Sequence, residues 1–128
     1  HLHRAVDDTA HFERMTLVLA LSYGGRQEIV DAMRRLAGLA REGKLRPEEI
    51  TESVIAQHLY TAGLPDPDLL IRTSGEFRLS NFLLWQSSYT ELYVTQTLWP
   101  DFTREELEAA IADYHRRERR FGRTVGTT

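Results

Sequence analysis

Between residues 71 and 81 the chain reads Ile71-Arg72-Thr73-Ser74-Gly75-Glu76-Phe77-Arg78-Leu79-Ser80-Asn81. Two guanidinium groups, hydroxyls and a glycine in so short a run suit an anion. Guanidinium binds phosphate bidentately, Ser80 adds a donor, and Gly75 lets the backbone approach closely. If Asn81 opens a helix, its free N–H groups point at the same place. The plainer use of these residues is ion pairing, with Arg72 and Arg78 held by Glu76 or by other surface acids. The residues alone leave the two readings level.

Tyr23-Gly24-Gly25-Arg26 is a second candidate. Its glycines could bring backbone amides onto a phosphate or could simply make a tight turn. Glu91 ends a very apolar segment, where a carboxylate is costly unless solvated, paired or bound to a cation. Helix-end solvation is one account of it. The other is Mg²⁺ shared with diphosphate oxygens, because that ion takes only one or two carboxylates and keeps several waters. Asp68 and Glu76 are weaker candidates for the same ion. The histidines at 1, 3, 11, 58 and 115 show no metal-ligand spacing. The run from His115 to Arg123 reads better as a solvated helix end, where positive side chains suit the negative C-terminal end of the helix dipole, than as a nucleic-acid patch, because it lacks interleaved aromatics and a basic total charge.

The elements that must position these residues follow from apolar patterning. Met15–Leu21 is a continuous apolar run of strand length, expected as a strand buried on both faces. Ser22 to Gly25 breaks it, and Arg26 to about Ala40 carries apolar residues at helical spacing, stopped by Gly43. A second helix is expected from Pro47 through Leu59, ended by Gly63. Asp68–Thr73 reads as a second buried strand closed by Ser74-Gly75, which predicts a right-handed parallel crossover. Asn81 to about Glu91 is expected as a buried helix, followed by a short strand at Leu92–Thr95. Thr103-Arg104-Glu105-Glu106 has the spacing of a capping box, opening a last helix to about Phe121. The fold class is α/β, a mostly parallel sheet flanked by helices. Ligands bind such sheets at the carboxyl ends of strands, which is where Arg72 to Asn81 falls.

The 128 residues suit one domain with one core. With 41 % hydrophobic and 27 % charged residues the composition is that of a packed globular protein. The absence of cysteine excludes disulfides, thiolate metal sites and a cysteine nucleophile. A net charge of -3 argues against a general nucleic-acid surface. No apolar run is long enough to span a bilayer, and His1-Leu2-His3-Arg4 does not open a signal peptide. A protein that is soluble or peripheral to the membrane is expected, with the cytoplasm as its compartment. The polar opening without methionine reads as the middle of a longer chain.

Taken together, Tyr23-Gly24-Gly25-Arg26, the stretch from Asp68 to Asn81, Phe82-Leu83-Leu84-Trp85-Gln86, Glu91-Leu92-Tyr93, Leu98-Trp99-Pro100-Asp101-Phe102 and Arg119-Arg120-Phe121-Gly122 resemble the cis-prenyltransferase family. The resemblance covers nearly the whole chain. It implies that residues 1–128 are the C-terminal portion of a single catalytic domain. The family's N-terminal Asp-Gly-Asn-x-Arg segment, with its catalytic aspartate, is absent, so no catalytic residue is expected in this chain and the fragment alone should be inactive. By the same resemblance Arg72, Arg78 and Ser80 hold the diphosphate of isopentenyl diphosphate, and Gly24 and Arg26 join the substrate-binding set. Glu91 helps bind Mg²⁺, and Arg120 and Gly122 form an Arg-x-Gly element reaching a partner subunit's site. Met15 falls toward the distal end of a product tunnel. The implied reaction condenses isopentenyl diphosphate with an allylic diphosphate, such as farnesyl diphosphate, to a polyprenyl diphosphate. The implied assembly is a homodimer, with peripheral membrane contact through the lipid product. Ser22 stands where the family often has Asn, and Phe77 where it often has His, and neither change removes a phosphate arginine. A non-catalytic partner subunit of the same fold is the main rival, disfavoured because such partners typically lose these arginines. A phosphate-sensing module would need a base or ribose pocket, which the sequence does not offer.

Overall fold

The computed structural model describes residues 2–117. A short exposed helix α1 (Leu2–Thr9), absent from the sequence-based expectation, opens the chain with no buried residue. Helix α2 (Gly25–Arg41) follows the expected helix closely. Its inner face is Glu28, Ala32 and Leu36, spaced four apart so that all three fall on one stripe. Gly43 ends it with φ of +67°, where the Gly43 and Lys44 N–H groups take up the carbonyls of Ala40 and Leu39.

The helix expected from Pro47 to Leu59 is divided. Pro47–Glu49 forms a 3₁₀ turn, and Thr51 then caps α3 (Glu52–Ala56) by accepting the Val54 N–H at 3.3 Å. A threonine hydroxyl placed to start a helix also interrupts one, which is why the single expected helix becomes two pieces.

Strands β1 (Leu69–Arg72) and β2 (Glu91–Val94) pair in parallel, with Leu69 opposite Glu91 and Arg72 opposite Val94. The strands expected at Asp68–Thr73 and Leu92–Thr95 thus form, and both are half-buried, although the first was expected to be buried. Helix α4 (Arg104–Arg116), capped by Thr103, packs on β2 and buries Ala110. Its expected extension to Phe121 lies outside the described residues. The buried apolar core is Ala32, Leu36, Leu59 and Ala110. Among the described residues no helix is long and apolar enough to cross a membrane.

Two expectations are overturned. Met15–Leu21 forms no regular element and joins no sheet among the described residues, and Met15 and Leu17 are 79 % and 77 % exposed, so the β1–β2 pair stands where the crossover between this run and β1 was expected. A buried strand needs hydrogen-bonded neighbours and two covering layers, and the described residues supply neither. The helix expected over 81–91 is also absent. Ser80, Asn81 and Leu83 have φ of +49°, +65° and +44°, and left-handed residues cannot propagate a right-handed helix. Turns and a 3₁₀ segment at Gln86–Tyr89 take its place.

Candidate anion site at the end of the first strand

At the carboxyl end of β1 the chain turns through Ser74 and Gly75, both with positive φ. The turn hangs from the extension of β2. Ser74 N–H donates to Thr97 O at 2.9 Å and Gly75 N–H to Thr95 O at 2.8 Å. It delivers Arg72, Glu76, Arg78 and Ser80 to one place. Arg72 Nη2 donates to Glu76 Oε2 and lies 3.3 Å from Ser80 Oγ, while Arg78 Nη2 donates to Glu76 Oε1 at 2.5 Å. Two cations therefore share one carboxylate. Arg72 Nε is buried with no partner among the described residues. The plainer ion-pairing arrangement is present, and the cluster still carries excess positive charge and an unused donor.

Asn81 ties this cluster to the Tyr23–Arg26 turn. Its backbone carbonyl accepts from Gly25 N–H at 2.8 Å and its Oδ1 from Arg26 N–H at 2.9 Å. Asn81 thus caps α2 instead of opening a helix of its own. The approach explains the glycine pair, because a Cβ on Gly24 would lie 3.0 Å from Asn81 Nδ2, and one on Gly25 would lie 3.0 Å from Leu84 Cγ. The first amides of α2, candidates for a phosphate, are therefore engaged by Asn81. Arg26, Asn81 and Leu84 line an open cavity of about 230 Å³ beside them.

Beneath the turn lies a buried carboxylate that the sequence reading did not single out. Glu28 is fully buried on α2. It accepts from the Tyr23 hydroxyl, from Tyr60 N–H at 2.8 Å, and from Gln86 Nε2 at 3.1 and 3.2 Å, and Gln86 also donates to Thr61 Oγ1. Burial first, then the hydrogen bond and charge of Glu28, push the Tyr23 phenol well above its usual range. Tyr23 also meets Phe82 and Tyr60 edge to face, at 5.6 and 6.3 Å between ring centroids. In one dimension Glu28 is a lone acid on a helix face, and only its four-residue spacing to Ala32 and Leu36 hinted at an inward side chain.

Glu91 is not gathered into the cluster. It opens β2 opposite Leu69, three residues or about 10 Å of strand from the Arg72 end. Its Oε2 accepts from Arg117 Nη1 at 2.9 Å, and the same guanidinium donates to Leu92 O and, through Nε and Nη2, to Asp113 Oδ2. That bond from Arg117 also holds the Asp113 carboxyl below its usual range. No cluster of three or more potential metal-ligating side chains occurs among the described residues. Arg120 and Gly122 lie outside them.

The α/β scaffold presents paired arginines and a serine together at a strand end. The chain belongs to the family described as "Putative undecaprenyl diphosphate synthase", whose model matches residues 1–122. It is 60 % identical over 121 residues to an isoprenyl transferase of Heliobacterium mobile, covering 94 % of this chain and 46 % of that one. It is 55 % identical over 123 residues to an isoprenyl transferase of Porphyromonas gingivalis, covering 96 % and 48 %. The chain spans about half the length of the curated relatives it matches. Its fold is similar to the crystal structure of lavandulyl diphosphate synthase from Lavandula x intermedia in complex with dimethylallyl diphosphate, with a TM-score of 0.90 and 45 % identity over 94 % of this chain and 52 % of that one. It is also similar to a probable undecaprenyl diphosphate synthase from Campylobacter jejuni, with a TM-score of 0.76, 39 % identity and coverage of 95 % and 54 %.

Proposed function

We propose that this chain contributes the isopentenyl diphosphate half of a cis-prenyltransferase site, with the diphosphate seated on Arg72, Arg78 and Ser80. The observation that carries the reading is the convergence of both guanidinium groups on the single Glu76 carboxylate, with the Ser80 hydroxyl 3.3 Å from Arg72 Nη2 and Arg72 Nε buried with no partner among the described residues. A diphosphate offers more negative charge and more acceptor oxygens than Glu76, and would draw both arginines into bidentate contacts. Arg26, which lines the cavity beside Asn81, and Gly24, which lets Asn81 approach, are proposed to join the same seat.

In the proposed reaction an allylic diphosphate, such as farnesyl diphosphate, loses its diphosphate and develops positive charge on the allylic carbon. The isopentenyl double bond attacks that carbon, and a proton is then lost. Arg72, Arg78 and Ser80 hold and orient the diphosphate of the attacking substrate, so that proximity and fixed charge lower the barrier. Sequence relatives named isoprenyl transferase support this class of reaction. The allylic site belongs to the upstream Asp-Gly-Asn segment, and chain elongation requires it. A second copy of the chain is the proposed partner, and Arg120 and Gly122 are proposed to reach the partner's site. The proposed location is the cytoplasm, with membrane contact through the lipid product.

Mg²⁺ is proposed at Glu91. One carboxylate would suit an ion that keeps several waters, but Glu91 is held by Arg117 and stands about 10 Å of strand from the Arg72 end, so within this chain it does not share an ion with the diphosphate seat. When bound, the ion neutralises diphosphate charge.

Titration calorimetry with isopentenyl diphosphate tests the seat. Arg72→Ala and Arg78→Ala should each weaken binding about tenfold or more, since a hydrogen bond to a charged group contributes about 1.5–3 kcal/mol. Unchanged affinity in both variants would refute it.

A further inference from the structure

The Thr103-x-x-Glu106 spacing predicts a capping box, and only half of it is made. Thr103 Oγ1 accepts the Glu106 N–H at 3.4 Å, but the Glu106 carboxylate does not return to Thr103. It reaches across to the extension of β2, where Oε1 accepts from the Thr97 hydroxyl and lies 3.5 Å from that of Thr95. Its Oε2 is buried with no partner among the described residues. A first-turn glutamate that gives up its place in the cap is committed to residues 95–97.

Those residues carry the turn that ends β1. The hydroxyls of Thr95 and Thr97 lie 3.2 Å apart, and Thr97 N–H donates to Thr95 Oγ1 at 3.2 Å, so the Glu106 contact braces a small closed network. The carbonyls of the same two threonines hold the N–H groups of Ser74 and Gly75. The fit is tight, because a side chain on Gly75 would overlap Gln96. Three links therefore run from α4 to the anion cluster: the Glu106 carboxylate, the Thr95 and Thr97 backbone, and the Ser74-Gly75 turn between Arg72 and Glu76.

We infer that Glu106 is a positioning residue for the diphosphate seat: through Thr95 and Thr97 it sets where the Ser74-Gly75 turn lies, and so where Arg72 and Arg78 meet their ligand. The inference rests on the proposed function of that seat. Glu106 touches no substrate, and what matters is its acceptor oxygen rather than its charge. Glu106→Gln keeps an acceptor for the Thr97 hydroxyl, whereas Glu106→Ala removes it.

The test titrates the 128-residue chain with isopentenyl diphosphate and, separately, with inorganic pyrophosphate, and measures thermal stability alongside. Glu106→Ala should weaken both ligands about tenfold, since small displacements of positioned groups are costly. Glu106→Gln should stay within about twofold of the parent. Thr97→Val, which removes the hydroxyl at equal volume, should behave like Glu106→Ala and serves if that variant does not fold. Leu36→Ala, a truncation on the buried face of α2, is a control for lost stability and should leave affinity unchanged. The inference is overturned if Thr97→Val and Glu106→Ala bind as the parent does while Arg72→Ala does not. It is overturned equally if Leu36→Ala weakens binding as much as they do, or if Glu106→Gln is as weak as Glu106→Ala. If Arg72→Ala binds as the parent does, the proposed seat itself has failed, and the inference falls with it.

Discussion

Replacing Glu28 by Ala should destabilise the chain by about 3–5 kcal/mol, as much as removing a large core side chain. The figure follows from the partners. Truncation leaves Tyr60 N–H and the Tyr23 hydroxyl without their acceptor and leaves Gln86 with Thr61 alone. Each buried donor left unsatisfied costs about 1–3 kcal/mol, offset in part because a carboxylate no longer has to be desolvated. Glu28→Gln should cost less, about 1–2 kcal/mol, because one oxygen is kept and only one donor meets another donor. Urea unfolding followed by circular dichroism reads the difference. With a slope of about 2 kcal/mol/M, the Ala midpoint should fall by about 1.5–2.5 M. A loss below about 1 kcal/mol for Glu28→Ala would refute the reasoning, since the network would then be replaceable by water.

Tyr23 supplies a pH test of the same network. Its folded-state pKa is raised above the unfolded value, so its contribution is fully present below about pH 10 and is lost as pH rises beyond that. Stability measured from pH 8 to 11 should decline more steeply in the parent than in Tyr23→Phe, and parallel curves would contradict the assignment. For the proposed metal ligand, Glu91→Gln in a chain extended to the length of its relatives should lower turnover and weaken the Mg²⁺ requirement at nearly unchanged volume. Unaltered turnover and unaltered Mg²⁺ dependence would count against Glu91.

The grouping of Arg72, Glu76, Arg78 and Ser80 was legible because its members are neighbours in the chain. Arg72, Arg78 and Ser80 follow one strand and one glycine turn, and local signals suffice to bring them together. Helix α2 was equally plain from its stripe and Gly43. The run Met15–Leu21 misled because apolarity marks a strand's needs, and no covering layer is present among the described residues to meet them. The segment 81–91 misled in another way. Its apolar density is real, but Ser80, Asn81 and Leu83 adopt left-handed backbone, which no periodicity encodes. Asn81 does so to cap a helix more than fifty residues earlier, a tertiary bond invisible to local patterning. Glu28 was hidden for the same reason, looking like an ordinary helix acid until its distant partners are known, and Glu106 read as a capping-box acid although its carboxylate reaches Thr97.

The central claim is that the strand-end cluster seats a diphosphate. Its most direct test is a titration of the isotopically labelled 128-residue chain with isopentenyl diphosphate, followed residue by residue through amide and guanidinium resonances. The account predicts saturable shifts concentrated at Arg72, Ser74 to Asn81 and the facing Gly24–Arg26 turn, abolished by Arg72→Ala. Shifts centred instead on the arginines of α2 at Arg34, Arg35 and Arg41, or no saturable shift at all, would contradict it.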